Sequence, residues 1–219
     1  MLASLAHWLL PLGAAFPLKA AACFAAIAAV AVSRISTKTH PFAAFGPANQ
    51  VTTARAVFVA LIAGCIGELS DDAAAAAAAG AIAVTAMDGI DGWVARRTRM
   101  SSVFGARFDM EVDALLILVL SILAWQYEKA GGWVLLSGLL RYVFVLAGWV
   151  WPWMERPLEP SRRRQTVCVV QIVALIVVVE PFVPRPLSTA IAAIGLAILG
   201  ASFLVDTRWL VLHRREQVA

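Results

Sequence analysis

Four carboxylates at fixed intervals are the part of this chain best suited to chemistry. They read Asp88-Gly-Ile-Asp91-Gly92-Trp-Val-Ala95-Arg96, then eight residues, then Gly105-x-x-x-Asp109-x-x-x-Asp113. Asp88 and Asp91, three residues apart, share one helix face, and Asp109 and Asp113, four apart, share a face of the next helix. Both pairs fall in stretches apolar enough to span a bilayer, where an Asp near a helix centre costs about 2.5–3.5 kcal/mol. Four would cost on the order of 10 kcal/mol, comparable to the stability of an ordinary domain. Packing does not account for that, whereas a bound cation or an aqueous cleft does. Carboxylate oxygens suit Mg2+, Mn2+ or Ca2+ rather than softer metals, and four like charges in a low dielectric do not all ionise unaided. Two such ions about 3.5–4 Å apart can clamp a phosphoryl group. The plainer alternative, scattered acids neutralised by Arg96, Arg107 or Arg141, leaves the intervals unexplained.

The elements that must hold these acids are membrane spans. Of 219 residues, 61% are hydrophobic and 15% charged, and the mean hydropathy is +0.81; a soluble domain carries nearer 25% charged residues. Stretches of about 20 apolar residues predict spans over 18–33, 49–67, 72–97, 103–126, 132–153, 162–180 and 186–205. The fold class expected is an all-α polytopic membrane bundle, a six-helix core plus about one extra N-terminal helix. Residues 1–16 are apolar but broken by His7, Pro11 and Pro17, which suits an interfacial helix or half a hairpin better than a cleaved signal. Residues 34–48 mix basic, aromatic and proline residues, as a segment along the membrane surface does. Short connections make consecutive helices antiparallel neighbours. A tight turn over Thr98–Ser102, with Ser101 or Ser102 as cap, then brings the two acidic pairs together. Asp71 and Asp72, after Ser70, read as helix-start residues.

Arg34, Lys38, Arg96, Arg97, Arg99, Arg156, Arg162 to Arg164, Arg208, Arg214 and Arg215 gather at one set of helix ends. The positive-inside rule places those ends, and the acids with them, on the cytoplasmic side of the inner membrane. The net charge of +4 is spread over short loops, so nucleic acid is not an expected partner. Cys23, Cys65 and Cys168 lie in three different spans and read as core filler. His7, His40 and His213 show no ligand spacing.

The pattern D-x-x-D-G-x-x-A-R-x(8)-G-x(3)-D-x(3)-D resembles the signature of the CDP-alcohol phosphotransferases, also called CDP-alcohol phosphatidyltransferases, and is matched here at every defined position. Upstream, Asn49-x-x-Thr52-x-x-Arg55 is similar to an element that precedes the signature in many members. By helix count the likeness extends over about residues 49–210, which makes 49–219 the expected catalytic domain and 1–48 an N-terminal helix with a juxtamembrane segment. The resemblance implies that Asp88, Asp91 and Asp109 hold two divalent cations, Mg2+ or Mn2+. Asp113 is implied as the base that deprotonates the acceptor hydroxyl, with a part in the second metal site. Asn49, Thr52, Gly92, Ala95, Arg96 and Gly105 are implied to line the nucleotide site.

The resemblance also implies the reaction: a phosphatidyl group moves from CDP-diacylglycerol to a small polar alcohol, and CMP is released, a step of phospholipid biosynthesis. Arg107, Arg141 and Arg164 are the expected contacts for a phosphate on the acceptor, which favours glycerol 3-phosphate or an inositol-type alcohol. Where many members read G-K-x-x-T, this chain has Arg164-Gln165-Thr166, so acceptor identity does not transfer from the resemblance. A homodimer is left open. An Asp-rich intramembrane prenyltransferase and a cation or proton transporter are the alternatives, and neither requires Gly92, Ala95 and Arg96 at those steps.

Overall fold

The computed structural model describes residues 12–213 except 43, 99, 101, 157, 159 and 160, and only the backbone at 90–96, 98 and 155. The expected opening helix over residues 1–16 and a cap at Ser101 therefore lie outside the described residues. Seven α-helices run in order among them: α1 (Phe16–Arg34), α2 (Pro47–Gly64), α3 (Asp71–Thr98), α4 (Val103–Gln126), α5 (Leu136–Val150), α6 (Arg162–Val179) and α7 (Arg185–Leu212). Two short 3-10 turns, Gly132–Leu135 and Pro152–Glu155, flank α5. The chain is an all-α polytopic membrane bundle. Phe16–Arg34, Gly132–Val150 and Arg185–Leu212 are each long and apolar enough to cross a membrane. The other four helices carry the polar residues of the motifs and arginines that interrupt their apolar windows.

Local signals explain the helix ends. Gly46, at φ +84°, leads into Pro47 at the first helical position of α2; that backbone needs a glycine, and the proline pre-sets the helical φ. Ser70 Oγ accepts from Ala73 N at 3.2 Å to start α3, with Asp71 and Asp72 at the positive helix end. Ser102 caps α4 by accepting from Gly105 N at 3.0 Å.

The bundle centres on α2 and α6, each of which packs against both α3 and α4. Among the described residues α3 and α4, consecutive in the chain and expected as direct neighbours, do not pack closely on each other, and their acids meet at α2 instead. Ala73, Ala77, Ala78 and Ala81 are buried to within 1%, so small side chains let α3 approach its neighbours closely. Leu116, Leu120, Leu123 and Leu175 fill the interior. α7 seals the outer side of α6, and α5 lies on α4. At the arginine-poor end, Lys129 Nζ donates to the carbonyls of Glu180, Pro181 and Val183 at 2.8–2.9 Å. Gln126 Nε2 donates to Glu68 O at 2.8 Å. These ties gather the loop ends opposite the acids into one layer.

Candidate active site

α2 brings three buried polar residues to the seam with α3 and α4. Asn49, Thr52 and Arg55 are 5%, 3% and 1% exposed, and their i, i+3, i+6 spacing keeps them close to one face. The Asn49 amide donates to Phe45 O at 2.5 Å, and Thr52 Oγ1 donates back to Ala48 O at 3.2 Å. Asn49 Oδ1 lies against Gly105, where an added Cβ would fall 2.7 Å from it. Gly105 is therefore the residue that permits α4 to pass so close to α2.

Arg55 is the hub. Its Nη1 lies 3.0 Å from Asp88 Oδ1 and also pairs with Asp109 Oδ1; its Nη2 pairs with Asp113 Oδ1. A guanidinium in an apolar interior requires carboxylates around it, and α3 and α4 supply three. A single guanidinium does not neutralise three carboxylates. Their ligand atoms lie within 4.8 Å of one another, a span that oxygens on a common Ca2+ can reach and that closes to about 4 Å on Mg2+. The donor set, all hard oxygen, fits a divalent cation of that kind.

Exposure grades the acids. Asp88 and Asp109 keep 34% and 35% of their side-chain surface open, while Asp113 keeps 19%. Asp113 is the innermost of the three, and Cys168 Sγ on α6 approaches its second oxygen at 4.0 Å. Asp91, Gly92, Ala95 and Arg96 belong to the helical backbone of α3, but their side chains lie outside the described residues.

The arginines divide differently from expectation. Arg141, expected to answer a site carboxylate or a phosphate, pairs instead with Glu111 Oε1 at 2.5 Å. Arg107 is exposed on α4, two residues before Asp109 and so on another face. Among the described contacts, neither reaches the acids. Arg164 stands one turn before Cys168 on α6 and approaches Asp206 Oδ1 of α7 at 3.3 Å. Arg163 meets the same oxygen at 2.5 Å and donates to Ser202 O at 2.8 Å. Arginines in the first turn of α6 oppose the helix dipole, and the buried Asp206 offsets that repulsion.

The turn before α4 is held from outside. Phe104 N donates to Thr39 O at 3.0 Å, and His40 Nδ1 lies 3.1 Å from Ser102 Oγ. His40 Nε2 lies 2.9 Å from Ala44 O, which only accepts, so Nε2 is the donor in that contact. The segment between α1 and α2 is thereby tied to the cap of the helix that carries Asp109 and Asp113.

Sequence reasoning left Arg55 without a role, although an arginine eight residues into an apolar helix has to find an anion. Asp206 and Glu111 passed unnoticed because a helical carboxylate shows its partner only across helices. A family model described as CDP-alcohol phosphatidyltransferase matches residues 45–204, a stretch that takes in α2 to α6 and most of α7. No curated protein and no solved structure matches the chain.

Proposed function

Since this chain belongs to the CDP-alcohol phosphatidyltransferase family, we propose that it transfers a phosphatidyl group from CDP-diacylglycerol to the hydroxyl of a small polar alcohol, releasing CMP. Membership sets aside the prenyltransferase and the transporter, and it makes the chain an integral membrane transferase of substituted phosphate groups. The observation that carries the reading is the convergence of Asp88, Asp109 and Asp113 around Arg55.

Asp88, Asp91 and Asp109 are the proposed metal ligands, with Asp113 contributing to the second site. Divalent cations held there, Mg2+ or Mn2+, supply charge neutralisation for the pyrophosphate and for departing CMP. Asp113 accepts the proton of the acceptor hydroxyl, whose oxygen forms a bond to the β-phosphorus of the donor. The bond from that phosphorus to the bridging oxygen breaks, and CMP leaves with the electron pair. Its inner position and the hold of Arg55 on one oxygen leave Asp113 a second oxygen for the proton. Asn49, Thr52 and Gly105 line the nucleotide side together with Gly92, Ala95 and Arg96.

Arg164 at the mouth of the site, supported by Arg163 and Asp206, favours an acceptor that carries phosphate, such as glycerol 3-phosphate, or an inositol-type alcohol. By the positive-inside rule the site opens to the cytoplasm at the inner membrane. The test is CMP release by purified protein given CDP-diacylglycerol, Mg2+ and a panel of alcohols. Release that requires both the ion and one alcohol supports the reading; release with no dependence on any alcohol refutes transfer.

A further inference from the structure

We propose that the groove between α1, α2 and α3 receives an acyl chain of the donor lipid, with Phe16 of α1 as its floor; this rests on the phosphatidyl-transfer reading above. The groove has a volume of about 410 Å³ and is lined by aliphatic and aromatic side chains, Gly80 and Cys65. That volume lies within the roughly 300–1,000 Å³ of small-molecule sites. With no charged group in its wall, the groove suits hydrocarbon and not a headgroup.

Its position ties it to the acids. The upper end is formed by Phe58 and Ala83, three residues beyond Arg55 on α2 and five before Asp88 on α3. The groove thus begins about one helical turn, roughly 5 Å, deeper in the membrane than the acid centre. From Ala83 to Ala76 it follows α3 for seven residues, about 10 Å. Small and aliphatic side chains line the slot over that length, which suits a hydrocarbon chain.

The floor lies outside the residues matched by the family model, since α1 precedes them and they begin at 45. Phe16 is 2% exposed, and its ring covers Gly64, where a Cβ would lie 2.8 Å from it. Three contacts fix this end of α1: Gly13 N donates to Glu68 Oε2 at 2.9 Å, and Lys19 Nζ donates to Ile66 O at 2.6 Å and pairs with Glu68 Oε1 at 2.9 Å. Toward its other end α1 turns Val30 and Val32 outward, 55% and 71% exposed. α1 is therefore secured where the groove ends, and Phe16 limits how far a chain can reach.

The test compares a dihexanoyl with a dioleoyl CDP-diacylglycerol in wild-type protein, Ala79→Leu and Phe16→Ala. Ala79 lines the groove but is exposed, so leucine there fills the slot without entering the core. A leucine that blocks the slot should raise the KM for the dioleoyl donor several-fold more than that for the dihexanoyl donor. Phe16→Ala should shift preference several-fold toward longer chains. An unchanged ratio of the two KM values in Ala79→Leu would overturn the proposal and leave the groove to bulk bilayer lipid. Wild-type protein that releases no CMP from either donor would instead overturn the reaction itself, and the proposal with it.

Discussion

Two arginine–aspartate clusters lie near the same end of this bundle, with opposite stoichiometry among the described contacts. Between α2, α3 and α4, the guanidinium of Arg55 faces the carboxylates of Asp88, Asp109 and Asp113. Between α6 and α7, the guanidiniums of Arg163 and Arg164 converge on the single carboxylate of Asp206. Among the described contacts the first arrangement is rich in carboxylate and the second in guanidinium, and Cys168, one turn from Arg164, touches Asp113 and links the two. An ion pair viewed alone says little about purpose; the proposed cation site and the proposed acceptor contact rest on this difference.

The comparison breaks first at Asp113. Asp113→Asn should lower kcat by about 10²–10⁴-fold, the range of a lost general base, in a CMP-release assay, while Mn2+ still binds at the site of Asp88, Asp91 and Asp109. Full turnover with metal still bound would end the assignment of Asp113 as base. Arg55→Gln removes a guanidinium that meets all three acids and should destabilise the ion-free protein. The expected loss is about 3 kcal/mol, at the low end for a broken buried pair, because Asp88 and Asp109 keep about a third of their side-chain surface open. Thermal unfolding in detergent, with and without Mg2+, reads this. The ion should restore much of the lost stability in the variant and add less to the wild type.

The second cluster yields a smaller effect. Arg164→Ala should raise the KM for a phosphorylated acceptor about ten-fold, one charge-assisted hydrogen bond, and leave the KM for the donor unchanged. An unaltered acceptor KM would make that cluster purely structural. The smallest effect is expected from His40→Ala, which cuts the tie to Ser102 and should lower the unfolding midpoint by the equivalent of about 1 kcal/mol.

The sequence and the structure agree most closely where a short-range rule operates. Apolar runs located seven helices, and Pro47, Ser70, Ser102 and Gly46 act at helix ends through contacts a few residues long. The stretch expected as one span from 132 starts instead as a 3-10 turn over Gly132–Leu135, since Gly131 and Gly132 disfavour an α-helical start. The spacing of the acids was readable, and with it the face each presents. Pairing across helices was not. Arg141 on Glu111 and Arg164 on Asp206 join residues 30 and 42 positions apart, and no periodicity in one helix encodes the rotation of another. The approach of Asn49 to Gly105 is of the same kind, as is the apolar groove, which exists only because α1 folds back onto α2 and α3.

The acid centre as a cation site is tested by titrating Mn2+ into purified protein, following bound ion by electron paramagnetic resonance beside CMP release from CDP-diacylglycerol. Wild-type protein should bind Mn2+ and release CMP in parallel, and Asp88→Asn and Asp109→Asn should each lose both together. Undiminished CMP release in excess chelator, or Mn2+ binding unaltered in both variants, would contradict a metal-dependent centre shared between α3 and α4.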